Sequence, residues 1–138
     1  MTRDLRQIFF ALDDNEQVMA CCMIAPRVDG DWEIYKLDEM ENAIADKQIV
    51  IIGGHVNWQN KLKQTFPGWL FVHPDAYKTV NSGMLEGKEK AYFFTDYINH
   101  ISYKKFVAIV REKIIPFGYI GSRNIESVVL QIYQEMVK

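Results

Sequence analysis

Short apolar runs alternate with amphipathic segments from residue 48 onward. Four such runs predict strands at 49–52, 69–72, 91–94 and 117–120. Apolar residues at helical spacing follow three of these runs and predict helices at 57–66, 103–114 and 125–136. Strands that alternate with helices form parallel sheets, because each helix carries the chain back to start the next strand. The pattern therefore predicts an α/β fold with a small parallel sheet flanked by helices.

A different pattern covers residues 1–47. Near the start, a helix is favoured by the spacing of Leu5, Ile8, Phe9 and Leu12. The run 8–12 could equally form a strand. The apolar runs 18–25 and 32–35, joined by a polar turn, predict a β-hairpin.

A short helix should connect this segment to the first parallel strand. Asp38 and Glu41 have the spacing of a capping box, which predicts a helix through Ala45. We therefore divide the chain into an N-terminal helix and hairpin extension, 1–47, and an α/β domain, 48–138.

Length and charge exclude several classes of protein. The chain has 138 residues, with 16 basic and 18 acidic side chains and a net charge of -2. A chain of this length forms one compact domain with at most a small appendage. The acidic balance argues against a nucleic-acid binder, which normally carries a strong basic excess. Because no apolar run is long enough to span a bilayer and no signal-peptide core is apparent, we expect a cytoplasmic protein with no membrane partner.

The cysteines and histidines give no support for a metal site. Cys21 and Cys22 are adjacent, and neighbouring side chains on a strand point to opposite faces, so we interpret them as small buried apolar residues rather than a redox pair. His55, His73 and His100 are far apart, and the sequence has no C-x-x-C motif. We therefore expect neither a structural zinc ion nor another cofactor.

Glycines and polar residues follow three of the four predicted parallel strands. The carboxyl ends of parallel strands meet at one edge of the sheet, where ligands bind near the point at which the strand order reverses. Glycine turns let backbone N–H groups approach a phosphate or carboxylate there. The sequence has neither the standard dinucleotide motif nor a P-loop. We predict that the ligand-binding residues are Gly53, Gly54, His55, Asn57, Trp58, Asp96, Tyr97, Asn99, His100, Ser122, Arg123 and Asn124.

Several of these residues have more than one interpretation. Arg123 precedes the last helix and suits a bidentate contact to phosphate or carboxylate, or it is a solvated surface residue. Asp96 could orient one of the two imidazoles, His55 or His100, or accept a hydrogen bond from a ligand hydroxyl. These two histidines could instead cap helices or bond to loops. Trp58 could stack on a base, although its helical spacing with later apolar residues is more typical of a core residue.

The segments around these residues resemble a known family. Ile51–Trp58 and Thr95–His100, the second followed by a basic helix, are similar to the small Rossmann-like domain of unknown function found in bacterial and phage proteins. The resemblance covers about residues 48–137, and both glycines, Asp96 and His100 match its motifs. It implies a Rossmann-like sheet with a site at the strand ends, but no established reaction.

These features favour a non-catalytic binding module for a nucleotide-like or other phosphorylated small molecule, which would sequester or sense a signal. One alternative is a hydrolase or phosphotransferase that uses Asp96 with His55 or His100. The other is a protein-interaction or oligomerisation module. Because residues 1–47 are rich in aromatic residues and methionine but too short to form their own core, this segment should either cover one face of the sheet or pair with its copy, and we expect a homodimer.

Overall fold

The computed structural model describes residues 6–9, 21–26, 32–76 and 82–137. The strands in these ranges are β1 (Arg6–Phe9), β2 (Cys21–Pro26), β3 (Trp32–Lys36), β4 (Ile49–Gly53), β5 (Leu70–Val72), β6 (Lys90–Phe94) and β7 (Phe117–Tyr119). The α-helices are α1 (Leu37–Ile44), α2 (Val56–Thr65), α3 (His100–Glu112) and α4 (Ile125–Met136). Each of the described helices is too short or too polar to span a lipid bilayer.

These elements fall into two compact units. The first contains β1, β2, β3, α1 and α4, and the second extends from Ala45 to Arg123. The sequence places α4 with the Rossmann-like domain over 48–138. The structure instead groups it with the first unit, because α4 packs against α1.

The second unit contains a four-stranded parallel sheet in the order β5-β4-β6-β7. Ile51 in the middle of β4 pairs with Phe71 of β5 on one side and with Tyr92 of β6 on the other. The chain runs from β4 outward to β5 and then returns to β6 on the opposite side, so the strand order reverses between β4 and β6. This confirms the predicted α/β fold with a small Rossmann-like parallel sheet. The topological switch point lies at the carboxyl ends of β4 and β6.

The core of this unit lies against α3 on one face of the sheet. Every residue of β4 is buried, as its β-branched run predicts. The buried cluster on this face consists of Val50, Ile52, Val72, Ala76, Leu85, Ala91, Phe93, Phe106, Val107, Val110 and Ile115. Leu62 is buried on α2, and Phe66 stacks on Trp69 with the ring centroids 3.9 Å apart. These contacts anchor the helices that begin at the carboxyl edge of the sheet.

The first unit contains an antiparallel sheet in the order β1-β2-β3. Ile24 of β2 pairs with Ile34 of β3, which confirms the predicted hairpin. The helix favoured near the start is wrong for residues 6–9, because β1 pairs with β2 along its whole length. Leu5 and Leu12, the turn of the hairpin, and the side chains of the two cysteines lie outside the described part of the chain.

The capping box predicted at Asp38 does not form. α1 begins at Leu37, so Asp38 lies within the first turn of the helix and not at its N-cap. Glu41, one turn further on, is partly buried. Burial raises the pKa of the Glu41 carboxyl above its ordinary value, and the like charges of Asp38 and Glu126 raise it further. The charged Glu41 carboxylate therefore lowers the stability of the folded protein at neutral pH.

The end of α3 holds an isoleucine where glycine is preferred. The Ile115 N–H donates to the Val110 carbonyl at 2.9 Å, and the Ile114 N–H donates to the Arg111 carbonyl at 3.2 Å. These two bonds define a Schellman motif, whose left-handed position usually contains glycine. Ile114 has a φ of 57° and is 87% exposed. A β-branched residue is strained in this conformation, and its side chain gains little from burial.

We expect Ile114→Gly to raise the free energy of unfolding by about 1 kcal/mol. Glycine removes a left-handed penalty of about 1–2 kcal/mol, while its larger entropy in the unfolded chain returns part of that gain. Urea denaturation measures the change. The matched control is Ile101→Gly, since Ile101 is 51% exposed in the regular first turn of α3. It should lose about 0.5–1 kcal/mol. Equal losses in both variants would contradict strain at Ile114.

We expect Glu41→Gln to stabilise the protein at neutral pH, because glutamine keeps the shape of the side chain without its disfavoured charge. The folded-state pKa of Glu41 is raised above the ordinary 4.5, so the folded protein binds this proton more tightly than the unfolded chain does. Wild-type stability therefore recovers as the pH falls through the raised pKa, and the advantage of the variant disappears below about pH 4.5.

Urea denaturation at stepped pH values tests this expectation. Glu39→Gln is the control, because Glu39 is exposed on the same helix and lies 3.9 Å from the Lys36 ammonium. It should show no gain at neutral pH. A stabilisation by Glu41→Gln that stays constant between neutral pH and pH 4 would show that charge is not its cause.

Candidate functional site

The carboxyl end of β4 is a tight glycine turn. Gly53 and Gly54 both have positive φ, at 93° and 87°, a conformation that residues with a Cβ disfavour. A Cβ at Gly54 would also lie 2.6 Å from Cε3 of Trp58. Gly121, after β7, is not among the glycines with a positive φ. A Cβ there would meet no atom within 4 Å. Of these two turns at the carboxyl edge, the β4 turn is the one that requires glycine.

Trp58 connects three segments at the carboxyl edge of the sheet. Its ring covers Gly54 and lies 4.7 Å, centroid to centroid, from the Phe94 ring at the end of β6. Its indole N–H donates to the Arg123 carbonyl, in the segment after β7, at 3.0 Å. Gly53 and Phe94 are paired in the sheet, so the half-buried indole fills the crevice at the switch point. The structure gives Trp58 a packing role there.

Three of the predicted ligand-binding side chains are helix N-caps. His55 Nδ1 accepts the backbone N–H two residues further on at 3.1 Å, at the start of α2. Asn99 Oδ1 accepts the N–H two residues further on at 2.8 Å, at the start of α3. Asn124 Oδ1 accepts the N–H three residues further on at 3.0 Å, at the start of α4. Each of these atoms accepts a hydrogen bond from a backbone N–H in the first helical turn, a group that has no partner within the helix.

Other predicted residues remain exposed. Asp96 lies in a 3₁₀ turn directly after β6, and His100 is the first residue of α3. Both are exposed, as are Asn57 and Arg123. Within the described ranges, no hydrogen bond or ion pair joins Asp96 to His100. Ser122 is half-buried, and the side chain of Tyr97 lies outside what the structure describes.

Gln59 is a structural residue that the sequence analysis did not identify. It is only 7% exposed, and its amide nitrogen donates to the Gly53 carbonyl and to the Val72 carbonyl, each at 2.7 Å. The side chain therefore joins the carboxyl ends of β4 and β5. Its spacing from Leu62 and Phe66 places it on the buried face of α2. A polar residue in that position is a signal of a buried hydrogen-bonding role.

A shallow depression opens between the end of β6 and the first turn of α3. It has a volume of about 170 Å³ and is lined by Thr95, Ile98, His100 and Tyr103. The Tyr103 hydroxyl lies 2.7 Å from the Tyr119 hydroxyl of β7. That hydrogen bond, with burial, raises the pKa of Tyr103 above its ordinary value, so its phenol is neutral. Of the four lining residues, only His100 was among those predicted.

The charged groups do not form a metal site among the described residues, since no three His, Cys, Asp or Glu side chains lie close enough together to hold an ion. Comparisons with protein-family models, with curated proteins and with solved structures gave no match. The family resemblance drawn from the sequence therefore stays a prediction, and the function has to be inferred from the geometry of the strand ends.

We expect Gly54→Ala to lower the free energy of unfolding by about 2–4 kcal/mol, because it adds backbone strain and displaces a packed indole. Gly121→Ala is the matched control and should change stability by less than about 0.5 kcal/mol. Urea denaturation followed by far-ultraviolet circular dichroism measures both variants. If the two variants have the same stability, the Trp58 contact does not constrain the β4 turn.

Proposed function

We propose that this protein binds a small phosphorylated or nucleotide-like molecule at the carboxyl edge of its parallel sheet, and does not convert it to a product. The observation that carries the proposal is the reversal of strand order between β4 and β6. Ligands of open α/β sheets bind outside the carboxyl ends of the strands at such a switch point. In this protein, exposed side chains surround the switch point. A binding module of this kind would serve to sequester or sense a signal.

Arg123 is the residue best suited to bind the phosphate. The Trp58 indole holds the Arg123 carbonyl at 3.0 Å, which fixes the main chain of this segment beside the crevice, while the Arg123 side chain is exposed. A guanidinium presents five N–H donors in a planar fork that matches the oxygens of a phosphate. Because the backbone is already held, a ligand would have to order only the side chain, which lowers the total entropy cost of binding.

Asp96 and His100 support recognition better than catalysis. A general base must lie within hydrogen-bond reach of the group that it activates, and catalytic pairs are usually joined to each other. No bond joins these two exposed side chains in the described structure. Separately, a carboxylate accepts hydrogen bonds from ribose hydroxyls and an imidazole bonds to phosphate or base atoms. Both residues therefore fit a polar rim around a bound nucleotide.

We expect Arg123→Ala to weaken phosphate-dependent binding by about 1.5–3 kcal/mol, which is about tenfold to a hundredfold in affinity. Isothermal titration calorimetry with phosphate, ribose 5-phosphate, and mono-, di- and cyclic nucleotides measures the effect. Arg111→Ala is the matched control, since Arg111 is exposed in the last turn of α3, beside the first residue of β7 and hence at the opposite edge of the sheet.

The two variants separate a specific contact from a loss of net charge. Equal weakening by Arg123→Ala and Arg111→Ala would contradict the proposed role of Arg123. Absence of binding across the whole panel would overturn the proposal. Chromatography after long incubation tests for turnover, and product formation that Asp96→Asn or His100→Ala abolishes would establish an enzyme instead.

A further inference from the structure

A depression at this edge of the sheet lies beside β6. At the switch point itself, the Trp58 indole occupies the position between Gly54 and Phe94. Thr95, which lines the depression, directly follows Phe94, the residue that pairs with Gly53 across the two strands. Thr95 therefore places the depression one residue along the chain from the filled crevice, on the α3 side of the sheet.

The size of the depression fits one ring of a ligand. Pockets that enclose a whole drug-sized ligand measure about 300–1,000 Å³, whereas this one measures about 170 Å³. A cavity of about 150 Å³ is known to accept a benzene-sized ring. The phosphate and sugar of a nucleotide would consequently lie outside the depression, toward the surrounding rim.

The walls of the depression are suited to a flat heterocycle. The Tyr103 ring is held from two sides, by the hydroxyl bond to Tyr119 at 2.7 Å and by an edge contact with Phe93 at 5.4 Å between centroids. A ring fixed in this way is a preorganised surface for another ring. The hydroxyl of Thr95 and the imidazole of His100 supply hydrogen bonds that a hydrocarbon ring could not use.

We propose that the ligand is a nucleotide whose base enters this depression and packs against Tyr103, while its phosphate contacts Arg123. The inference rests on the proposed function and adds to it the class of the ligand and the position of the base. It also makes Tyr103, rather than Trp58, the aromatic partner of the base.

The test compares the affinities of UMP and AMP with that of ribose 5-phosphate, which lacks the base. In the wild type, we expect the nucleotides to bind about tenfold to a hundredfold more tightly, since packing of a base on an aromatic side chain has about that effect. Thr95→Trp should bring this ratio close to one by filling the depression from an exposed position, and it should leave the affinity for ribose 5-phosphate unchanged.

Two further variants serve as controls. Gln64→Trp adds the same bulk at an exposed position near the end of α2 and should keep the wild-type ratio. Tyr103→Phe retains the ring without the hydroxyl and should keep most of the ratio, whereas Tyr103→Leu should lose it. Circular dichroism confirms that each variant is folded before its ratio is compared.

The outcomes distinguish this inference from the proposed function. If ribose 5-phosphate binds with a dependence on Arg123 but the nucleotides bind no more tightly, the site exists and the inference about the base is wrong. A ratio that persists in Thr95→Trp also overturns the inference. If neither ribose 5-phosphate nor any nucleotide binds, the proposed function fails, and the inference fails with it.

Discussion

The contact between the Trp58 indole and the Gly54 backbone fixes the carboxyl edge of the parallel sheet. A side chain at position 54 would need the space that the indole occupies, since a Cβ there would lie 2.6 Å from the ring. The same indole packs on Phe94 and bonds to the Arg123 carbonyl. Displacement of Trp58 would therefore release the end of β6 and the segment after β7 together with the β4 turn.

The next residue along α2 extends this arrangement to the remaining strand. Gln59 donates to carbonyls at the ends of β4 and β5, while Trp58 contacts the ends of β4 and β6 and the segment after β7. Consecutive residues on a helix point about 100° apart. One turn of α2 can therefore contact the strands on either side of β4. The first turn of α2 consequently contacts the carboxyl ends of β4, β5 and β6 and the segment after β7.

The fold could be predicted from the sequence because its signals are periodic. The β-branched run of β4 and the helical spacing in α3 each fit one kind of element. The segment of β1 is ambiguous, because the apolar residues around Ile8 satisfy a helix as well as a strand, and pairing with β2 decides between them. α4 has a clear helical pattern, but the pattern does not reveal that its partner is α1.

The sequence locates the carboxyl ends of the strands but does not reveal the structural roles of the residues that follow them. Small polar residues after a strand are selected both by ligands and by the N-terminus of the next helix. At His55 and Asn99, the side chain accepts a hydrogen bond from a backbone N–H in the first turn of the helix. Tyr103 and Tyr119 are not among the site residues predicted from the sequence, since only the packing of α3 beside β7 brings their hydroxyls together.

These caps change the physical basis of anion binding at this edge. A helix N-terminus attracts phosphate through backbone N–H groups that lack partners. In α2, His55 already accepts one of these N–H groups, and in α3, Asn99 accepts two. Fewer donors remain for a ligand than at a bare helix end, so the proposed binding of phosphate would depend more heavily on a side-chain cation. Of the predicted site residues, Arg123 supplies a guanidinium with five N–H donors, and its backbone carbonyl is held by Trp58. The same tryptophan that fills the crevice thus holds the main chain of the residue to which we assign the proposed phosphate contact.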